Sequence, residues 1–230
     1  VQNIGGADKT PSAIIPELAF ANIVIKDIQA PALLRSNLDA DGLLGLDVLR
    51  NQRMTIDFLH DTRLTIVPSQ KNAPVTGADD PGTIVVRAKS RFGELIVTNA
   101  EIEGQRVAVI IDTGSEDSIG NSALRTLVSR RIAHTEIRPT ILLSVTGREV
   151  PGEYTQIGRV DIGGVQIANL PIVFADVTTF KQFGLAHKPA ILLGMETLRL
   201  VDKVTLDFPN RTITFVLARH TNAGVSLTAH

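Results

Sequence analysis

The sequence predicts an all-β fold made of one complete structural unit and the C-terminal half of a second, related unit. Three observations carry that prediction. Val, Ile, Leu and Thr recur in short runs broken by Gly, Pro, Asn and Asp, and aromatic residues make up only 4% of the chain, a pattern of many short strands. Helical periodicity is confined to a few short stretches. The chain also resembles itself at a shift of about 150 residues (207 − 57).

Strands are expected at 21–28, 53–58, 63–67, 93–102, 105–111, 140–145, 157–162, 165–167, 171–175, 203–208 and 212–217. Glu103-Gly104, Gly163-Gly164 and Pro209-Asn210 supply tight-turn chemistry between several of them. A helix is expected at 121–131, where Leu124, Leu127 and Val128 fall at helical spacing behind a polar cap at Asn121 or Ser122. Single helical turns are expected at 46–50 and 195–200.

The repeat is local and dense. Leu43-Leu44-Gly45-Leu46-Asp47-Val48-Leu49-Arg50 lies on Leu192-Leu193-Gly194-Met195-Glu196-Thr197-Leu198-Arg199 with a shift of 149 (194 − 45). One inserted residue later, Thr55-Ile56-Asp57-Phe58 lies on Thr205-Leu206-Asp207-Phe208. Eight of the 16 positions from Leu43 to Phe58 are identical, which is too many for chance in so short a window. The segment 21–28 has the same build as 160–167. The expected organisation is therefore 1–68, the C-terminal half of the first unit; 69–92, a polar, Pro/Gly-rich linker; 93–218, the complete unit; and 219–230, a tail. The first unit starts at a point matching Ser144 or Val145 of the second, so the counterpart of Asp112 is expected about 37 positions before Val1 (112 − 149 = −37).

Composition removes several classes of function. With 23 Lys+Arg against 24 Asp+Glu the net charge is −1, which excludes nucleic-acid or acidic-membrane binding driven by bulk charge. The apolar run Val107–Ile111 is far short of the ~20 residues of a membrane-spanning helix. Cysteine is absent, so disulfides, thiolate nucleophiles and Cys-ligated metals drop out. His60, His134, His187, His220 and His230 are scattered without metal-ligand spacing, and neither a metal nor a cofactor is expected.

Chemistry concentrates in Val107-Ala108-Val109-Ile110-Ile111-Asp112-Thr113-Gly114-Ser115, where an apolar run ends abruptly in an acid, a hydroxyl and a glycine. A carboxylate at the end of a buried strand needs a compensating environment or a function. Read alone, Asp-Thr-Gly also fits an ordinary strand-to-turn corner.

Together with the downstream Ala190-Ile191-Leu192-Leu193-Gly194 and a short helix, Asp112-Thr113-Gly114-Ser115 resembles the aspartic proteases of the retropepsin type. The order of elements in the complete unit agrees: a hairpin, Asp-Thr-Gly, a flap hairpin, a further hairpin, the apolar-apolar-Gly strand, a short helix and a closing hairpin. With Leu43-Leu44-Gly45 read likewise, the resemblance covers about 190 of 230 residues. It implies a retropepsin-like acid protease barrel and a peptide-bond hydrolase. The longer spacing from Asp112 to Leu193 suits cellular or bacterial relatives better than compact viral ones, and the tandem form implies an extracytoplasmic bacterial protein.

The resemblance also implies roles. Asp112 is the catalytic acid/base, Thr113 braces two such loops across their interface, and Gly114 lets backbone pass close to substrate. Ser115 and the flap residues Val145, Thr146 and Gly147 are expected to bind substrate, with Ile4-Gly5-Gly6 as the flap counterpart in the first unit. Tyr154 either covers the site or packs. Two carboxyls that share one proton are needed, the ionised one activating water and the protonated one polarising the scissile carbonyl; aspartic proteases are the standard example of this splitting. Asp47, Asp57, Asp117 and Asp207 lack the Asp-Thr-Gly setting, and Asp57 and Asp207 read as hairpin residues. The second acid is thus expected from an associated missing segment or from a homodimer partner, with polypeptide as substrate. The other reading is a non-catalytic relative that binds peptide or dimerises.

Overall fold

The computed structural model describes residues 2–21, 23–38, 40–59, 62–75, 78, 80, 82–132 and 136–217. The expected tail, 219–230, lies outside the described residues, as do His60, His134, His220 and His230.

The N-terminal part contains β1 (Gln2–Asn3), β2 (Gly6–Ala7), β3 (Ser12–Phe20), β4 (Ile23–Pro31), α1 (Leu46–Leu49), β5 (Gln52–Asp57) and β6 (Arg63–Pro68). β7 (Thr83–Arg87) and β8 (Lys89–Arg91) follow. Next come β9 (Glu94–Ile102), β10 (Gln105–Ile111), β11 (Ile119–Gly120), α2 (Ser122–Ile132), β12 (Arg138–Leu143), β13 (Glu149–Ile162) and β14 (Val165–Phe174). The chain closes with α3 (Thr178–Gln182), β15 (Ala190–Leu193), α4 (Met195–Leu198), β16 (Lys203–Asp207) and β17 (Thr212–Val216).

Most strands lie in two sheets. An eight-stranded sheet runs β12-β13-β14-β11-β15-β10-β9-β8, and a further pairing of β13 with β9, Val160 opposite Ile102, curls it toward a barrel. At its centre β10 and β15 run parallel, Ala108 to Ile111 beside Ala190 to Leu193. Both faces of this pair are covered, which is why β15 is buried at all four residues and why the sequence there is continuously apolar rather than alternating. One face holds Val97, Val109, Ile111, Ile162 and Ile191. The other holds Ile96, Ile110, Ile119, Phe180 and Leu192. α2 lies against β13 and is capped by Asn121, whose Oδ1 accepts the Leu124 N–H at 2.9 Å.

The second sheet, β6-β5-β16-β17-β7, joins the two halves of the chain. β5 and β16 pair antiparallel with Thr55 opposite Thr205, Asp57 opposite Lys203 and Arg53 opposite Asp207. Adding 150 to the first member of a pair and subtracting 150 from the second returns a pair of the same register, so a local two-fold axis passes between Thr55 and Thr205, whose hydroxyls meet at 3.0 Å. Asp57 and Asp207 are structural: Asp57 accepts the Leu59 N–H at 3.1 Å and pairs with Lys203, while Asp207 accepts from Ser69 Oγ and the Asn210 N–H.

Several expectations need correction. The segment 69–92 is not simply a linker, since it contributes β7 to the edge of the joining sheet and β8 to the other. β3 is absent from the expected strands because Pro16 interrupts its pattern, yet it pairs with β4 along its length, with no pair at Pro16 itself. The β3–β4 turn falls at Ala21, φ +47, so the segment 21–28 does not match 160–167 element for element. The segments 165–167 and 171–175 merge into the single strand β14, because β13 pairs with it from Glu153 to Ile162.

The Thr55–Thr205 contact yields a prediction. Thr55→Val and Thr205→Val each remove one partner and are expected to cost about 1 kcal/mol. The double variant should cost less than the sum, as read in a double-mutant cycle by urea unfolding.

Candidate active site

Asp112 directly follows β10, and its backbone N–H donates to Leu193 O at 3.0 Å, extending the parallel pair by one step. The chain then leaves the sheet. The Gly114 N–H turns back to Asp112 Oδ1 at 3.0 Å, which orients the carboxyl. The rest of the loop rests on the start of α4: the Met195 N–H donates to Ser115 O at 2.8 Å and the Glu196 N–H to Glu116 O at 3.0 Å. Gly194 lies directly beneath, where a Cβ would sit 2.6 Å from Glu116 O and closer still to the Asp117 backbone. Only glycine permits this approach.

Two buried hydroxyls tie the layers together. Ser118 Oγ accepts the Gly194 N–H at 3.1 Å and meets Thr197 Oγ1 at 2.7 Å, and both residues are almost completely buried. Neither was expected from sequence, because a serine and a threonine carry no signal until the loop and the helix are brought together. Arg199 pairs with Glu116 at the rim.

Burial pushes the Asp112 carboxyl above the ordinary Asp range, and the Gly114 N–H opposes that by stabilising the charged form. Asp117 is raised as well, by burial and then by the nearby Glu116. Glu94, at the start of β9, is raised from 4.5 to about 8, first by burial and second by the charge of Asp112. No local sequence pattern singles out Glu94. Among the described residues the Thr113 hydroxyl has no hydrogen-bond partner, and Ser115 Oγ donates to Asp117 O at 3.0 Å, which makes it a loop-shaping group.

The expected flap is a hairpin, β12 running into β13 with Leu143 opposite Glu149. Its turn is closed by the Ser144 N–H to Arg148 O at 2.9 Å and the Gly147 N–H to Ser144 O at 2.8 Å, with Gly147 at φ +82. Val145, Thr146 and Gly147 therefore sit at the tip of one hairpin, while Asp112 to Ser115 sit in the loop after β10. The tip is held by the N-terminal part: Thr146 Oγ1 donates to Asp8 Oδ2 at 2.6 Å, Arg148 pairs with Asp8, and Arg148 Nη1 donates to Gly5 O at 3.1 Å. Ile4 and Gly5 form the turn between β1 and β2, so the flap counterpart lies against the flap itself. Tyr154 is half-buried and packs against the buried layer that includes Ile96 and Ile110.

Among the described residues no group of three His, Asp or Glu side chains could hold a metal ion, and no helix is long and apolar enough to cross a membrane.

The geometry generates one direct expectation. Gly194→Ala forces backbone against backbone and should cost about 1–3 kcal/mol; a thermal or urea melt checks the loss, and an unchanged midpoint would show that the loop lifts freely from α4.

Residues 98–197 match the family model described as aspartyl protease. A solved retropepsin-like aspartic protease from Rickettsia conorii is similar over 58% of this chain and 89% of its own, at 17% identity and a TM-score of 0.39. No curated protein matches the chain. The matched segment spans β10, the Asp112 loop, the flap and β15, and over these residues the chain is similar to the aspartyl proteases.

Proposed function

We propose that this protein is an aspartic endopeptidase in which Asp112 is one of two acids that activate water for attack on a peptide bond. The observation that carries the reading is the placement of Asp112: a half-buried carboxyl at the end of the central parallel pair, oriented by the Gly114 N–H, on a loop whose Glu116–Asp117 backbone lies against Gly194. A group so held does not need to reorganise when charge develops beside it. Its raised proton affinity suits a residue that takes a proton from water and returns it to the leaving amine.

In this reading Thr113 braces the loop against a second one, which accounts for a hydroxyl without a partner in its own fold. Gly114 and Ser115 shape the floor, and Val145, Thr146 and Gly147 close over an extended polypeptide that adds its backbone to the flap. The second acid comes from another copy of the chain or from sequence outside these 230 residues. The two-fold relation at Thr55 and Thr205 supports the arrangement, because an axis that repeats β5 on β16 would also set a second loop facing the first.

Peptide cleavage by the complete protein tests the proposal. Asp112→Asn should lower kcat by roughly 10²–10⁴-fold, the range of general acid/base catalysis, while leaving the unfolding midpoint near that of wild type. Cleavage at the wild-type rate would refute the assignment.

A further inference from the structure

Glu94 begins β9, and its place in a strand does not call for an acid. Three features of its surroundings do. The first is register. β9 and β10 pair as Val109 with Val97 and Ile110 with Ile96, and two further steps along the same register set Glu94 opposite Asp112. Directly opposed residues on antiparallel strands project to one face. Here it is the face of Ile96 and Ile110, which pack in the layer that also holds Leu142 and Val150 of the flap strands.

The second feature is the lack of a compensating cation. Arg91 faces Glu94 across the β8–β9 hairpin, but its guanidinium donates to Phe183 O and lies 5.2 Å from the centre of the Phe92 ring. Lys89 stands two pairs further along, opposite Ile96, and is exposed. The arginines on the other adjoining strands, Arg106 on β10 opposite Glu101 and Arg159 on β13 next to Val160, stand at the far end of β9, and near Glu94 the remaining charges are acids: Asp47 on α1, and Glu116 and Asp117 in the Asp112 loop, Glu116 being engaged by Arg199.

The third feature is confinement. Phe92 and Gly93 turn the chain into β9 at φ +53 and +91. Gly93 is pressed against α1, where a Cβ would sit 3.2 Å from Leu46 Cβ. β9 therefore cannot shift to release the carboxyl to solvent without disturbing the contact between the two halves of the chain.

We propose that Glu94 is a positioning residue for Asp112, a carboxyl from the same sheet that keeps a proton facing the catalytic carboxylate. The proposal rests on the reading of Asp112 as the catalytic acid, but its direct test does not require cleavage. Because burial and then the Asp112 charge raise Glu94 to about 8, Glu94 stays neutral through the neutral range. Above about 8 Glu94 is charged as well, and the proton it holds toward Asp112 is lost. Glu94 then sets the alkaline limit of the site.

Carboxyl ¹³C NMR titration of the intact chain, as wild type and as Asp112→Asn, reads this directly. The expected result is a Glu94 carboxyl that titrates at about 8 in wild type and at a lower pH in Asp112→Asn, where the like charge is gone. A Glu94 that titrates in the ordinary Glu range, or one indifferent to Asp112→Asn, would overturn the proposal. With cleavage assays, Glu94→Gln should move the alkaline limb of the kcat profile to higher pH with little change in KM, an effect that a purely structural role would not produce. An unchanged alkaline limb in a folded Glu94→Gln variant counts against Glu94 as the limiting group. Should the complete protein cleave no peptide, the endopeptidase reading falls, and the two NMR titrations still decide whether Glu94 and Asp112 form a coupled pair.

Discussion

Everything about the site depends on backbone laid on backbone where the Asp112 loop crosses Gly194. The parallel pairing of β10 with β15 ends at Asp112 N–H and Leu193 O, and from that point both chains change direction together. The loop's carbonyls at Ser115 and Glu116 accept the first free N–H groups of α4, so the helix start is satisfied by the very segment that carries the acid. Ser118 and Thr197 close the remaining gap with a buried hydroxyl pair. Asp112 owes its position to this seam, which couples the stability of the fold to the placement of a carboxyl.

A second constraint is the symmetry of the joining sheet. β5 and β16 are related by the repeat, and two-fold pairing makes Thr55 and Thr205 neighbours although they are 150 residues apart. The same relation brings α1 onto Gly93 and the β1–β2 turn onto the flap through Asp8 and Arg148. The N-terminal part is thus more than an appendage: it supports one side of the site at Gly93 and meets the flap on the other.

Electrostatically, the site gathers acids where the structure withholds cations. Asp112, Asp117 and Glu94 all bind protons more tightly than usual, each chiefly because of burial. Where arginines are near, they are committed elsewhere: Arg91 to a carbonyl, Arg148 to Asp8 and Arg199 to Glu116. A site that leaves its carboxyls uncompensated keeps them poised to exchange protons rather than locked in ion pairs.

Much of this was legible in the residues. Continuous apolar runs marked β10 and β15, because strands buried on both faces cannot alternate; Asp-Thr-Gly marked the loop, since an acid at the end of such a strand is costly without purpose. Identical sequence did not guarantee identical structure, however. Leu192-Leu193 is strand in β15, held between β10 and β11, whereas Leu43-Leu44 in the repeat is irregular and largely exposed, with no flanking strand among the described residues. Strand structure is a property of a pair, and one segment alone does not specify its partner. Glu94 and Ser118 were illegible for the same reason. By itself the sequence determined which segments are apolar, where turns fall and which acid ends a buried strand, all consequences of local chemistry. Only the tertiary structure decided which carboxyl faces Asp112, which hydroxyls meet beneath it and what holds the flap, because these are contacts between residues far apart in the chain.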